Sequence, residues 1–153
     1  MLRKVFEAGS IYYIPDVRLR LPGDIDSRTH HPQRPVLIVS DQNARHGTNA
    51  QPSQLWPSVL IVPLSSSTTG RTKFDVRLGA GEGNLPKKSW ARVPALQVVD
   101  KDYIGDYLGK VTPAVLEMVN AQILNYLGLI DPEGDEPEVG SEPDPEGGGS
   151  RPN

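Results

Sequence analysis

One side chain whose type and setting could hold an anion in this sequence is Arg34. It stands in "HHPQRPVLIVSDQ", residues 30–42, directly before Pro35 and an apolar run of Val36, Leu37, Ile38 and Val39. A guanidinium is planar, always charged and able to donate in pairs, so it matches a carboxylate or a phosphate. Pro35 lacks an N–H and is tolerated at a strand's first position, and it holds Arg34 extended. Two readings stand side by side: an arginine salt-bridged where a strand begins, and an arginine aimed at a phosphate. Other chemistries are absent. There is no cysteine, hence no disulfide and no thiolate metal site. No metal-ligand spacing and no nucleophile elbow occur, and "GAGEGN" reads as a turn rather than a phosphate-cradling loop. No cofactor and no metal are expected.

The elements that must position Arg34 are short. "GSIYYIPD" (9–16) predicts a strand over Ile11, Tyr12, Tyr13 and Ile14, stopped by Pro15. A basic loop, "DVRLRLPGDIDSRTHHPQ" (16–33), follows; loops this long inside a compact domain are more often functional than idle. A second strand is expected at 36–40, and "WPSVLIVPLSSS" predicts a third at about 58–63, ending at Pro63. "TKFDVRL" (72–78) alternates Phe74, Val76 and Leu78 with Lys73, Asp75 and Arg77, as a half-exposed strand does. "SWARVPALQVVD" predicts two short strands split near Pro94. The one long helix comes last, with Thr112 as N-cap, Pro113 at its first position and Gly128 near its end. Val115, Leu116, Val119, Ile123, Tyr126 and Leu127 make its apolar stripe. Short strands followed by one helix predict a mainly β fold with helices, a small barrel with a C-terminal helix.

The charge is distributed unevenly. Residues 131–153 hold eight acids, one base, five Pro and five Gly, a net of −7, while residues 1–130 carry +4. With Val139 as its one aliphatic residue, the tail cannot bury enough surface to offset its ordering entropy, and disorder is expected there. The division is a folded domain over 1–130 and a tail over 131–153. No apolar stretch has the length of a signal peptide or a membrane span, so a cytoplasmic protein without membrane contact is expected. The mildly basic body permits nucleic-acid binding without demanding it.

The order of these pieces resembles the PemK/MazF family of growth-inhibiting toxins, whose relatives include the CcdB toxins. The resemblance covers roughly residues 9 to 130. It rests on "QRPVLIVS" after a long first loop, on "VLIVPLSSS" leading to "TKFDVRL", and on "VVDKDYIGDYLGKVTPAVLEMVNAQILNYLGL". That last piece matches the family's ending: a Val-Asp-Lys step, a short helix, an "LGKVTP" hinge and a terminal helix. The resemblance implies an SH3-like barrel, usually a homodimer, that cleaves single-stranded RNA at short sequences without a metal. It also implies a cognate antitoxin as partner, with operator DNA bound only through the toxin–antitoxin complex. The "VPL" strand end and the terminal helix are the expected two-fold interface.

Metal-free cleavage uses the ribose 2′-OH as nucleophile and needs a base, an acid and a cation for the phosphorane charge. By resemblance the arginine before proline is Arg34, and the hydroxyl residue after the strand end is Ser65. His31 is the expected proton carrier, since histidine titrates nearest neutrality; a plain loop role is the alternative for it and for His30. Arg28, His30, Ser66 and Arg92 complete the expected RNA contacts.

This sequence departs from the family pattern in two places. Family members carry an acidic patch just before the Arg-Pro step, where "SRTHHPQ" has no acid, and an Asp/Glu-Gln pair in the fifth strand region, where Pro94 and Ala95 stand. These departures keep a second class of function open: a non-catalytic toxin or a nucleic-acid- or protein-binding module on the same barrel, as in CcdB-like relatives.

Overall fold

The computed structural model describes residues 6–21, 32–40 and 57–130. Arg28, His30, His31 and the acidic segment 131–153 lie outside the described residues. Among the described residues there are seven strands: β1 (Ser10–Pro15), β2 (Gln33–Ile38), β3 (Ser58–Ser65), β4 (Val76–Leu78), β5 (Ser89–Ala91), β6 (Gln97–Asp100) and β7 (Tyr107–Lys110). One α-helix follows, α1 (Pro113–Tyr126). The strand order is β4-β5-β3-β2-β1-β7, with β6 also pairing β3, and each of these pairings is antiparallel. The sheet curls into a half-barrel, as the sequence predicts.

The unbroken apolar run of β2 has a direct cause: both faces of the strand are covered, and Val36, Leu37 and Ile38 are all fully buried. Alternate residues enter different cores. Ile11, Leu37, Val62 and Leu64 join a cluster that takes in Val119 of α1, with Val115, Leu116 and Ile123 packed against it. Tyr12, Ile14, Val36, Ile38, Val59 and Ile61 join a second cluster with Phe6 and Val99. A pleated strand sends successive side chains to opposite faces, so two cores share the same three central strands.

β3 does not end at Pro63. Ser58–Ile61 pair with β6, Ile61–Pro63 pair with β2, and Leu64–Ser65 pair with β5. Proline cannot donate to a ladder, so Pro63 sits where the strand exchanges one partner for the next, and its carbonyl accepts from the Arg92 amide at 2.9 Å. Pro35 likewise lies inside β2, opposite Tyr13, rather than at its first residue. The alternation of 72–78 is only partly a strand. Thr72 donates its amide and its hydroxyl to the Asp75 carboxylate, which turns the chain and leaves Val76–Leu78 to pair with β5. β5 and β6 are split as expected, by a 3-10 turn at Val93–Ala95. β7 is a strand the sequence reading missed. The short helix expected before it is a 3-10 turn, Lys101–Tyr103. α1 starts as predicted, with Thr112 accepting from the Val115 amide at 3.4 Å and Pro113 in its first turn. Val62 and Leu64 of the "VPL" segment are fully buried within the subunit, so those two side chains are spent on the intrachain core rather than on a two-fold interface.

Candidate active site

Arg34 belongs to the second face of β2, in line with Val36 and Ile38, and only 8% of it is exposed. Its Nε donates to Asp16 Oδ1 at 2.8 Å, and its Nη1 donates to the Leu64 carbonyl at 3.2 Å. Asp16 is 1% exposed and follows β1 directly, at the start of a 3-10 turn over Asp16–Arg18. The β1–β2 register explains the pairing. Ile14 stands opposite Arg34, and the Asp16 amide reaches the Pro32 carbonyl, so Asp16 and Arg34 are diagonal neighbours on one face. The acid that "SRTHHPQ" lacks is thus supplied from the opposite end of the first loop. Sequence spacing hides it, because 18 residues separate the partners. Among the described residues, Arg34 Nη2 has no hydrogen-bond partner, so the guanidinium is oriented through two nitrogens and keeps a donor free for an anion.

Ser65 comes to the same place. The β2–β3 ladder runs to Val36 opposite Pro63. Continuing that register by two residues on each strand sets Arg34 opposite Ser65 on the same face. The strands have already begun to diverge here, and the Arg34 side chain bridges the opening to the carbonyl just before Ser65. Ser65 Oγ accepts from the Ser67 amide at 3.2 Å, which fixes the hydroxyl and leaves its proton available to a ligand oxygen. Ser66 is exposed on the loop beyond.

Arg92, expected to contact RNA, is turned inward instead. It is 9% exposed. Its Nη2 donates to the carbonyls of Ser67 (2.8 Å) and Thr69 (2.7 Å), and its Nη1 meets Asp75 at 3.3 Å. Loop carbonyls left without strand partners need donors, and a guanidinium supplies several from one position. Arg92 therefore clamps the loop between β3 and β4 beside Ser65. A second latch was also missed in the sequence. Gln97 accepts from the Arg20 amide at 3.0 Å and donates to the Arg20 carbonyl at 2.9 Å, pinning the first loop to β6. His31, His30 and Arg28 fall outside the described residues. No group of three or more His, Asp or Glu able to hold a metal occurs among the described residues. None of the described helices is long and apolar enough to cross a membrane.

The family of PemK-like, MazF-like toxins of type II toxin-antitoxin systems matches residues 9–127. The chain belongs to this family. Among curated relatives of this PemK/MazF chain, endoribonuclease MazF1 of Mycobacterium bovis is 33% identical over 97 residues, covering 63% of this chain and 80% of that one. Endoribonuclease MazF4 of Mycobacterium tuberculosis matches with the same figures. A solved mycobacterial endoribonuclease in complex with its cognate antitoxin is 29% identical, with a TM-score of 0.57, covering 84% of this chain and 100% of the other. The MazE–MazF complex of Deinococcus radiodurans shares the fold, with a TM-score of 0.56 at 17% identity. The PemK/MazF toxins thus frame the arrangement of Arg34, Asp16 and Ser65: a barrel of this kind, with its guanidinium fixed at the mouth of the first loop.

Proposed function

We propose that this chain is the toxin of a type II toxin–antitoxin pair and cleaves single-stranded RNA without a metal. The observation that carries the proposal is the Arg34 guanidinium, oriented by Asp16 and by the carbonyl of Leu64, the residue before Ser65. In this reading the scissile phosphate binds Arg34 Nη2 and the Ser65 hydroxyl, which stabilise the charge that grows on the non-bridging oxygens. The ribose 2′-oxygen attacks phosphorus and the P–O5′ bond breaks, leaving a 2′,3′-cyclic phosphate and a 5′-hydroxyl. One proton leaves the 2′-OH and one reaches O5′; His31, with His30 beside it in sequence, is the proposed carrier. The naming of both mycobacterial relatives as endoribonucleases supports the reaction class, and the solved complex supports a cognate antitoxin as partner. A homodimer is the proposed assembly, tested by sedimentation at micromolar concentration.

The near-complete burial of the Arg34–Asp16 pair favours a second reading, in which Arg34 only secures the start of β2 and the barrel acts by binding. Cleavage of mixed-sequence single-stranded RNA in EDTA separates the two. The catalytic reading requires 5′-hydroxyl products from the wild type and none from Arg34→Ala. Intact RNA at large excess of folded wild-type protein would falsify it.

A further inference from the structure

The face that carries Arg34 and Ser65 continues across the sheet. Ser65 pairs with Trp90 of β5, and Trp90 pairs with Arg77 of β4. Directly opposite residues point to the same side, so Ser65, Trp90 and Arg77 form a row over three adjacent strands, and Arg34 lies on the same face of β2, beyond the end of its ladder with β3. The row beneath it, Leu64, Ala91 and Val76, is buried in the core shared with α1. Neighbouring strands lie roughly 5 Å apart, which places the Trp90 backbone about 5 Å and the Arg77 backbone about 10 Å from that of Ser65. That is the scale of one and two nucleotides.

Trp90 is half-buried, and Arg71 lies over its ring at 4.3 Å from the centroid. Arg71 is exposed and sits on the loop that Arg92 and the Thr72–Asp75 turn hold in shape. Among the described residues neither Arg71 nor Arg77 has an acidic partner. Among the described residues the buried Trp90 Nε1 proton has no acceptor, so what the indole offers Arg71 is its ring. A guanidinium centred over an indole on one side keeps its other side toward solvent, and nucleobases stack on guanidinium planes as well as on aromatic rings.

We propose that Arg71, backed by Trp90, is a base-stacking subsite for the nucleotide next to the scissile phosphate, with Arg77 receiving the following phosphate. The proposal rests on the ribonuclease reading given above and adds a determinant of RNA binding to it. Trp90 acts through Arg71 and is a positioning residue; Arg71 touches the RNA.

The test compares wild type with Arg71→Ala, Arg71→Lys, Arg77→Ala and Trp90→Phe. Cleavage is read on a random-sequence single-stranded RNA pool by sequencing the cut ends, and binding by anisotropy of labelled oligo(A) and oligo(U). Arg71→Ala should weaken binding about tenfold, the effect of losing one stacked base. It should also flatten base preference at one position flanking the cut, with KM affected more than kcat. Arg71→Lys keeps the charge and loses the plane, so it should resemble Arg71→Ala. Trp90→Phe keeps a supporting ring and should stay within about twofold of wild type. Arg77→Ala should lower the dependence of binding on salt by about one phosphate contact, without altering base preference. Arg71→Lys behaving as wild type overturns the subsite, since charge alone would then suffice. So does a loss confined to antitoxin binding with RNA binding unchanged. Should the wild type bind oligo(A) in an Arg71-dependent way yet cut nothing, the ribonuclease reading fails and the stacking subsite stands.

Discussion

Asp16 and Arg34 face each other diagonally across the β1–β2 ladder, joined at 2.8 Å with almost no contact with solvent. A buried ion pair contributes little net stability, but an Arg34 guanidinium that has lost Asp16 is a buried charge without its counter-ion. Asp16→Ala should therefore destabilise the fold by about 3 kcal/mol in urea unfolding. By releasing Arg34 it should also lower cleavage by about a hundredfold. Replacing both residues, Asp16→Leu with Arg34→Met, should recover much of the stability while activity stays lost. A double variant as unstable as Asp16→Ala would show that the pair is not the unit.

Arg92 carries the loop between β3 and β4. Its guanidinium holds the Ser67 and Thr69 carbonyls and Asp75, and hydrogen bonds from a charged donor are each worth about 1.5–3 kcal/mol. Arg92→Ala is expected to cost about 3 kcal/mol. Limited trypsin digestion should cut faster at Arg71 and Lys73, and unchanged cutting there would contradict the clamp.

Tyr12 predicts the alkaline limit of the fold. Burial pushes its phenol above the usual tyrosine range, and Tyr107 and Glu7 add to the shift. A phenol whose folded pKa is raised contributes fully below the unfolded value of about 10, and the contribution is lost as pH rises through the folded value. Urea midpoints of wild type should hold steady to about pH 9 and fall beyond pH 10. In Tyr12→Phe that part of the fall should disappear, and parallel curves for the two proteins would refute it.

Val119 is the fully buried residue of α1, packed into the cluster on the face away from Arg34. Val119→Ala should lower stability by about 2 kcal/mol through lost contacts and a residual cavity. RNA affinity per folded molecule should not change. An affinity loss larger than the loss of folded protein would show that the two faces are coupled.

The parts of this fold legible in the sequence were those set by local chemistry. Thr112 and Pro113 announced the helix, and the apolar run after Arg34 announced a buried strand. Errors arose where a side chain overrode the local pattern. Lys73, Asp75 and Arg77 alternate with apolar residues as a strand would, yet the Asp75 carboxylate accepts from the Thr72 amide and hydroxyl and makes a turn. Pro63 looks like a terminator, but β3 continues by changing partners at that residue. β7 carries the glycine pair of "YIGDYLGK" around it, and Gly109 packs where a Cβ would collide with the Gly83 carbonyl, a contact invisible in one dimension. Of the proposed site, Arg34 and Ser65 were expected from the sequence. Asp16 and the Arg71–Trp90 stack were not, because each depends on strand register between distant segments.

The division of the central strands between two cores gives the molecule separate ledgers for survival and for target choice. Odd-numbered residues at the end of β3 belong to the face of Arg34, Trp90 and Arg77, while the even-numbered Val62 and Leu64 support the helix. Substitutions on opposite faces share few neighbours, so their effects should combine almost independently. A lineage with this barrel can alter what the exposed Arg71 and Arg77 grip, one residue at a time, while the buried Arg34–Asp16 pair and both cores stay as they are.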